Sequence, residues 1–155
     1  MAAGAGVAMV RSMACFGCER VERIRRGSDR EFVGELGESY VVLADEQAYR
    51  GYCLLFLKDH AEHLTDLPLE RQLRLWEDVS HVGSVLMREL EPVRLNYACL
   101  GNMMTHLHWH VTPRYAGDPE AQHPIWVRPL AERRVELPGD ERQALVARIR
   151  HGLGL

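Results

Sequence analysis

The chain carries three histidines at alternate positions, His106, His108 and His110, with Leu107 and Trp109 between them. In extended backbone, residues two apart share a face and lie about 6–7 Å from each other. One face of this segment is then imidazole, while Leu107, Trp109 and Val111 point into an apolar layer. Packing alone gives no reason for such a strip, but two kinds of chemistry do. Neutral imidazoles ligate transition metals such as zinc. An imidazole whose ordinary pKa is about 6.5 is also substantially deprotonated at pH 7, so it can contact phosphate and act as a nucleophile there. The spacing does not choose between them.

The second constellation is Cys15-Phe-Gly-Cys18. Such a pair is half of a zinc site, a redox couple or a coincidence, and no thioredoxin-like βαβ frame precedes it. Other residues of these types have blander readings. His63 and His81 fall on polar faces of helical segments and His151 lies near the terminus, so all three read as solvated. Cys53 and Cys99 sit in apolar runs and read as small core residues. Arg114, after Pro113, contacts either a phosphate or a surface carboxylate, and Trp126 either lines a pocket or covers the sheet, packing being preferred.

The elements that must position these groups follow from period and punctuation. A short basic helix is expected over 16–26, ended by Gly27-Ser28-Asp29. Extended segments follow at 31–36, 40–44 and 52–57, separated by Gly37-Glu38-Ser39 and by a polar stretch ending at Gly51. Leu69, Leu73, Trp76, Val79, Val82, Leu86 and Leu90 recur at helical steps, with Thr65 or Asp66 as cap candidates and Pro68 near the first turn. Pro92 ends that helix, and strands are expected at 94–99 and 107–112. The proline-rich segment 116–138 reads as an extended tail over the surface, and Gly139-Asp140 opens a last helix through Ile149. The class is α+β, with roughly five strands around one long helix and a shorter C-terminal one. Residues 1–13 read as a disordered leader, 14–115 as the main domain, and 116–155 as an extension packing on it.

Composition bounds the partners. A chain of 155 residues with 46% hydrophobic and 26% charged residues is an ordinary single-domain globular composition. A formal charge of -3 gives no footprint for a long polyanion, so nucleic acid is disfavoured as a partner while a small phosphorylated ligand is not. The apolar run 52–57 is too short for a membrane span, which needs about 20 residues. No secretion signal is read at the N-terminus, so the expected compartment is cytoplasmic and the four cysteines are expected as reduced thiols or metal ligands.

The segment His-Leu-His-Trp-His-Val-Thr112 resembles the signature of the histidine triad family, in which three histidines alternate with apolar residues. The resemblance extends to Arg50-Gly-Tyr-Cys-Leu-Leu-Phe-Leu-Lys-Asp-His60, to His63-Leu-Thr-Asp-Leu67, and to Asn96, Gly101 and Pro113-Arg114-Tyr115. From Cys15 to Tyr115 the order of elements agrees. It implies an antiparallel sheet with a long helix, often paired as a homodimer, and a nucleotide site beside the triad strand. It implies that His108 attacks the α-phosphorus of a nucleotide derivative, giving a covalent nucleotidyl-histidine, with a backbone carbonyl near His106 fixing its tautomer. His110 would contact phosphate or assist the leaving group. The substrate-binding candidates are Asn96, Asn102, Tyr52 and His110, with Tyr52 standing where many members carry histidine. The resemblance further implies a structural zinc held by Cys15, Cys18, His60 and His106. The implied activity is a dinucleoside polyphosphate or nucleoside phosphoramidate hydrolase. The alternatives are a nucleotidyl transferase or phosphorylase, and a zinc-stabilised nucleotide-binding protein without turnover.

Overall fold

The structure, a computed structural model, describes residues 15–155, so the expected leader over 1–13 lies outside the described residues. Five strands form one antiparallel sheet in the order β1-β2-β3-β5-β4. They are β1 (Phe32–Glu35), β2 (Ser39–Leu43), β3 (Cys53–Leu57), β4 (Arg94–Ala98) and β5 (His108–Arg114). Strand β5, the expected chemical strand, is thus interior, paired with β3 through Phe56↔His108 and Leu54↔His110 and with β4 through Ala98↔His110.

Alternation divides the sheet into two faces. Val33, Val41, Leu43, Cys53, Leu55 and Val111 form the main core with helices α2 (Leu69–Leu90) and α4 (Gly139–Gly152). On the opposite face Tyr40, Val42 and Phe56 lie under Val21 and Ile24 of helix α1 (Phe16–Arg25). The histidines share the α1 face, which leaves Leu107, Trp109 and Val111 for the apolar side as their alternation requires.

Two local devices fix the frame. The turn from β1 to β2 is clamped by Asp78 of α2, a buried carboxylate that accepts from the Gly37 and Glu38 amides and the Ser39 hydroxyl at 3.1, 2.8 and 2.8 Å. At the entry to β3, Gly51 adopts φ +84, and a Cβ there would come within 2.1 Å of Leu90 on α2. Only glycine meets both demands.

The sequence expectations for the elements hold with several corrections. Neither Thr65 nor Asp66 caps α2, whose N-cap is Pro68 without a side-chain bond. Asp66 instead accepts from the Glu62 and His63 amides and closes the 3-10 turn Leu64–Asp66. Cys99 is exposed rather than core, because it stands just past the end of β4, where the strand has left the packed layers. The segment 116–138 is less extended than expected. It contains a 3-10 turn, Ile125–Val127, and a short helix α3 (Leu130–Arg133), and Ile125 is buried against Ala44, Tyr49 and Tyr52. No helix among the described residues is long and apolar enough to cross a membrane.

Replacing Asp78 by alanine strands the buried Glu38 amide and Ser39 hydroxyl and removes the acceptor of the Gly37 amide, so Asp78→Ala is expected to destabilise the fold by about 2–4 kcal/mol. Equilibrium urea unfolding measures this; an unchanged midpoint would remove Asp78 from the frame.

Candidate functional site

The site begins just before β5. The Leu107 amide donates to the Ala61 carbonyl at 2.7 Å, and the Leu57 amide donates to the Leu107 carbonyl at 3.1 Å. These bonds hold His106 under α1, where it is 1% exposed. Its Nε2–H donates to the Leu57 carbonyl at 2.8 Å, a partner that can only accept. The Nδ1 lone pair is therefore free, and it faces sulfur: Cys18 Sγ at 3.5 Å and Cys15 Sγ at 3.9 Å. His60 Nδ1 lies 3.3 Å from Cys18 Sγ, and the four donor atoms all fall within 4.8 Å of one another.

Zinc–ligand bonds of about 2.0–2.3 Å place tetrahedral donors roughly 3.3–3.8 Å apart, so these separations suit such an ion. The chemistry of the donors agrees. Burial and then the neighbouring Cys15 push the Cys18 thiol up to about 11, so Cys18 does not ionise readily without a cation beside it. Burial holds His106 below the ordinary imidazole range, in the neutral form that a metal needs. Gly17 makes the approach possible. A Cβ there would lie 2.3 Å from the His106 Cβ, so only glycine lets the first turn of α1 bring both cysteines onto this ring. All four residues expected as metal ligands are brought together.

His108 has the opposite proton assignment. Its Nδ1–H donates to the His106 carbonyl at 2.7 Å, which leaves Nε2 with the lone pair. The ring stacks on Phe56 with centroids 5.6 Å apart and planes at 16°. Burial lowers its pKa, so the ring is neutral and nucleophilic at pH 7. The carbonyl expected near His106 as its acceptor is that of His106 itself.

His110 differs again. Its Nδ1 lies 2.5 Å from the Tyr52 hydroxyl. Burial raises the Tyr52 pKa, so the phenol keeps its proton and donates it to Nδ1. The His110 proton is then on Nε2, making that nitrogen a donor. Burial and then His108 push His110 down to about 4, so it works as a neutral donor and not as an imidazolium. Tyr52, expected to touch substrate, is 2% exposed, with its hydroxyl against His110. This contact was hidden because Tyr52 and His110 are 58 residues apart in sequence.

Arg114 and Asn96 are also placed differently from a phosphate clamp. The Arg114 guanidinium is buried and donates to Asp118, to Asn96 Oδ1, and to the Glu120 and His123 carbonyls, over the ring of Tyr49. Of the two readings of Arg114 the carboxylate is the one realised, although Asp118 is buried with it. Asn96, on β4, has its oxygen held by Arg114 and its amide group left over. It lines a cleft of about 700 Å³ between β4, β5 and the segment 121–126. Trp126 both lines this cleft and packs edge-on against His110, with centroids 5.3 Å apart. Asn102 is exposed in the loop joining β4 to His106, as is Met103.

Comparison with known proteins agrees with this geometry. The family model described as HIT domain matches residues 25–117. No curated protein matches the chain significantly. Among solved structures, a histidine triad protein from Bradyrhizobium japonicum is similar at 27% identity and TM-score 0.71, over 79% of this chain and 89% of that one. A histidine triad protein from Marinobacter aquaeolei is similar at 26% identity and TM-score 0.72, over 84% and 93%. A zinc-bound histidine triad family protein from Mycobacterium smegmatis, at 23% identity and TM-score 0.67 over 92% and 95%, shares the fold. With the triad strand, its sheet and the family match in agreement, the chain belongs to the HIT (histidine triad) family.

Proposed function

We propose that this protein is a nucleotide phosphohydrolase in which His108 Nε2 attacks the α-phosphorus of a nucleotide derivative, a dinucleoside polyphosphate or a nucleoside phosphoramidate. The observation that carries the reading is the proton assignment. The lone pair of His108 is on Nε2 because the His106 carbonyl takes the Nδ1 proton, and the neighbouring His110 presents an Nε2–H. A lone pair beside a donor is what displacement at phosphorus needs.

In the first step the Nε2 lone pair forms a P–N bond and the bond from phosphorus to the leaving group breaks, its electron pair going to the bridging oxygen, or to a nitrogen that has taken a proton from solvent and departs as the neutral amine. His108 becomes a phosphorylated imidazolium, and its Nδ1–H bond to the His106 carbonyl strengthens as positive charge develops. His110 Nε2–H hydrogen-bonds the phosphoryl or leaving oxygen, while Tyr52 keeps its ring in place. In the second step water adds to phosphorus and the P–N bond breaks, returning its electron pair to Nε2. A proton is released as the nucleoside monophosphate forms.

The metal belongs to the same reading. Cys15, Cys18, His60 and His106 would hold a structural zinc that cross-links α1 to the start of β5. With a closed shell of four protein ligands it supplies rigidity and no reaction step. His106 is then a ligand through Nδ1 and a positioning residue through its carbonyl, but not a nucleophile.

A homodimer is part of the proposal. Strand β4 is an edge of the sheet, and next to it Leu69, Leu73 and Trp76, at helical spacing on α2, are 69%, 57% and 50% exposed. Trp76 and Tyr97 of β4 stand with ring centroids 6.3 Å apart, making the apolar surface continuous with that edge. An unpaired edge beside an exposed apolar patch suits a second copy of the chain.

Three measurements test these statements. Wild type is expected to release nucleoside monophosphate from a panel of adenosine polyphosphates and phosphoramidates, with or without inorganic phosphate, and His108→Ala to lose at least about 10³-fold in rate. Unchanged turnover in His108→Ala would sink the mechanism. Elemental analysis should give about one zinc per chain, lost in both Cys15→Ser and Gly17→Ala; zinc-free wild type of normal stability would remove the metal. Light scattering should return twice the chain mass for wild type and the chain mass for Trp76→Glu; a monomeric wild type would refute the pairing.

A further inference from the structure

The four cysteines differ in their surroundings. Cys53 is fully buried in the main core, and Cys99 is exposed past the end of β4. Cys15 and Cys18 are half-buried, one at the N-cap of α1 and the other in its first turn, so solvent reaches both. Residues three apart on a helix are neighbours, with Cβ atoms about 5–6 Å apart, and a disulfide accepts Cα separations of about 4.4–6.8 Å. The two sulfurs already lie within 4.8 Å of each other, both beside Nδ1 of His106. Joining them is a change within one helical turn.

Such a bond and a bound metal exclude one another. Around a tetrahedral ion two thiolates stand roughly 3.3–3.8 Å apart, whereas a disulfide joins them at about 2.05 Å and leaves neither sulfur charged. Of the cluster only His60 and His106 then remain as donors, half of a closed set. The two states also tie the chain differently. A metal at this cluster cross-links Cys18 to His106, 88 positions further on, while the disulfide closes a loop inside a single turn of α1. A cross-link stabilises more when the loop it closes is longer. Exchanging one for the other therefore loosens α1 at the point where Gly17 sets it closest to the His106 ring.

We propose that Cys15 and Cys18 form an oxidative modification site, closed to a disulfide by hydrogen peroxide, so that the same pair holds the metal when reduced and releases it when oxidised. The inference rests on the reading that Cys15, Cys18, His60 and His106 bind zinc. One thiolate sulfur attacks a peroxide oxygen, the O–O bond breaks with its electron pair leaving on the other oxygen as hydroxide, and a sulfenic acid forms. The second thiolate attacks that sulfur, and the S–O bond breaks with its electron pair leaving as a further hydroxide. The electrons that reduce the peroxide come from the two sulfurs, and each hydroxide takes a proton from solvent. A thiol reductant reverses the closure. No thioredoxin-like frame is required, because both sulfurs belong to one turn and no partner protein exchanges with them.

Zinc-loaded Cys99→Ser protein, in which buried Cys53 is the one cysteine outside the pair, tests the site with hydrogen peroxide. A chromophoric chelator is expected to read release of about one zinc per chain, and thiol titration after denaturation to read loss of about two thiols. Peptide mapping is expected to place a disulfide between Cys15 and Cys18, and the urea unfolding midpoint to fall. Dithiothreitol with added zinc is expected to restore all three. Zinc kept through the treatment, an unchanged midpoint, or release with the two sulfurs as sulfinic acids that dithiothreitol does not reverse overturns the proposal. Protein that is isolated without zinc and does not take it up counts against the metal reading instead. The pair is then tested by titration and mapping alone: a Cys15–Cys18 disulfide supports the modification site, and two surviving thiols overturn it.

Discussion

Main-chain carbonyls decide what the histidines of this protein can do. An imidazole has two nitrogens and, when neutral, one proton, so whichever nitrogen faces a carbonyl must carry the proton and the other must carry the lone pair. The Leu57 carbonyl takes Nε2–H of His106 and turns Nδ1 toward the thiols. Two residues on, the His106 carbonyl takes Nδ1–H of His108 and turns the lone pair the other way. Identical side chains on one face thereby acquire different chemistry, and no charged residue is needed to impose it. The third assignment, at His110, comes from a phenol, because the pairing of β5 with β3 brings Tyr52 alongside.

His106 joins two parts of the molecule that would otherwise be independent. Its ring belongs to the cluster of Cys15, Cys18 and His60, and its carbonyl holds His108, the nucleophile of the proposed reaction. Motion of α1 against the sheet is therefore felt at His108 through His106. The packing of Val21 and Ile24 on Tyr40, Val42 and Phe56 holds that helix down, and Phe56 in turn carries the stacked ring of His108. Apolar burial on this face and orientation of the nucleophile are in this sense one interaction. A mobile α1 would loosen both the donor cluster and the imidazole that follows it.

The features legible in the sequence are those with a short period. Alternation over Leu107, Trp109 and Val111 located the triad strand, and helical recurrence of Leu69 through Leu90 located α2, though not its cap. The cysteine pair and its partners were readable only through resemblance, since Cys18 and His106 are 88 residues apart. What stayed hidden depends on long-range register or on where an element stops. Tyr52 meets His110 only because β3 pairs with β5, and Asp78 holds a turn 40 residues before it. Cys99 reads as core because its run is apolar, but one residue past the end of β4 suffices to expose it. The exposed half of the α2 stripe is the converse case. Leu69, Leu73 and Trp76 continue the same period as Val79 and Val82, and the pattern alone cannot say which turns meet the chain's own core.

Burial of the imidazoles has an electrostatic consequence for the chemistry. A phosphoric ester is an anion, and an imidazolium would attract it, yet an imidazolium has no lone pair with which to attack. Desolvation resolves this conflict by holding both His108 and His110 neutral, His110 down to about 4. On the proposed reading the nucleophile is then available throughout the neutral range, and attraction for a phosphate ligand must come from elsewhere. Arg114 cannot supply it, because its donors are engaged by Asn96, Asp118 and two carbonyls. What that reading leaves beside the two rings is a set of oriented N–H dipoles. Dipoles that do not reorganise favour the transition state over the bound anion, since their interaction grows as charge shifts onto the departing oxygen. On the proposed reading a neutral, buried triad trades binding strength for reactivity.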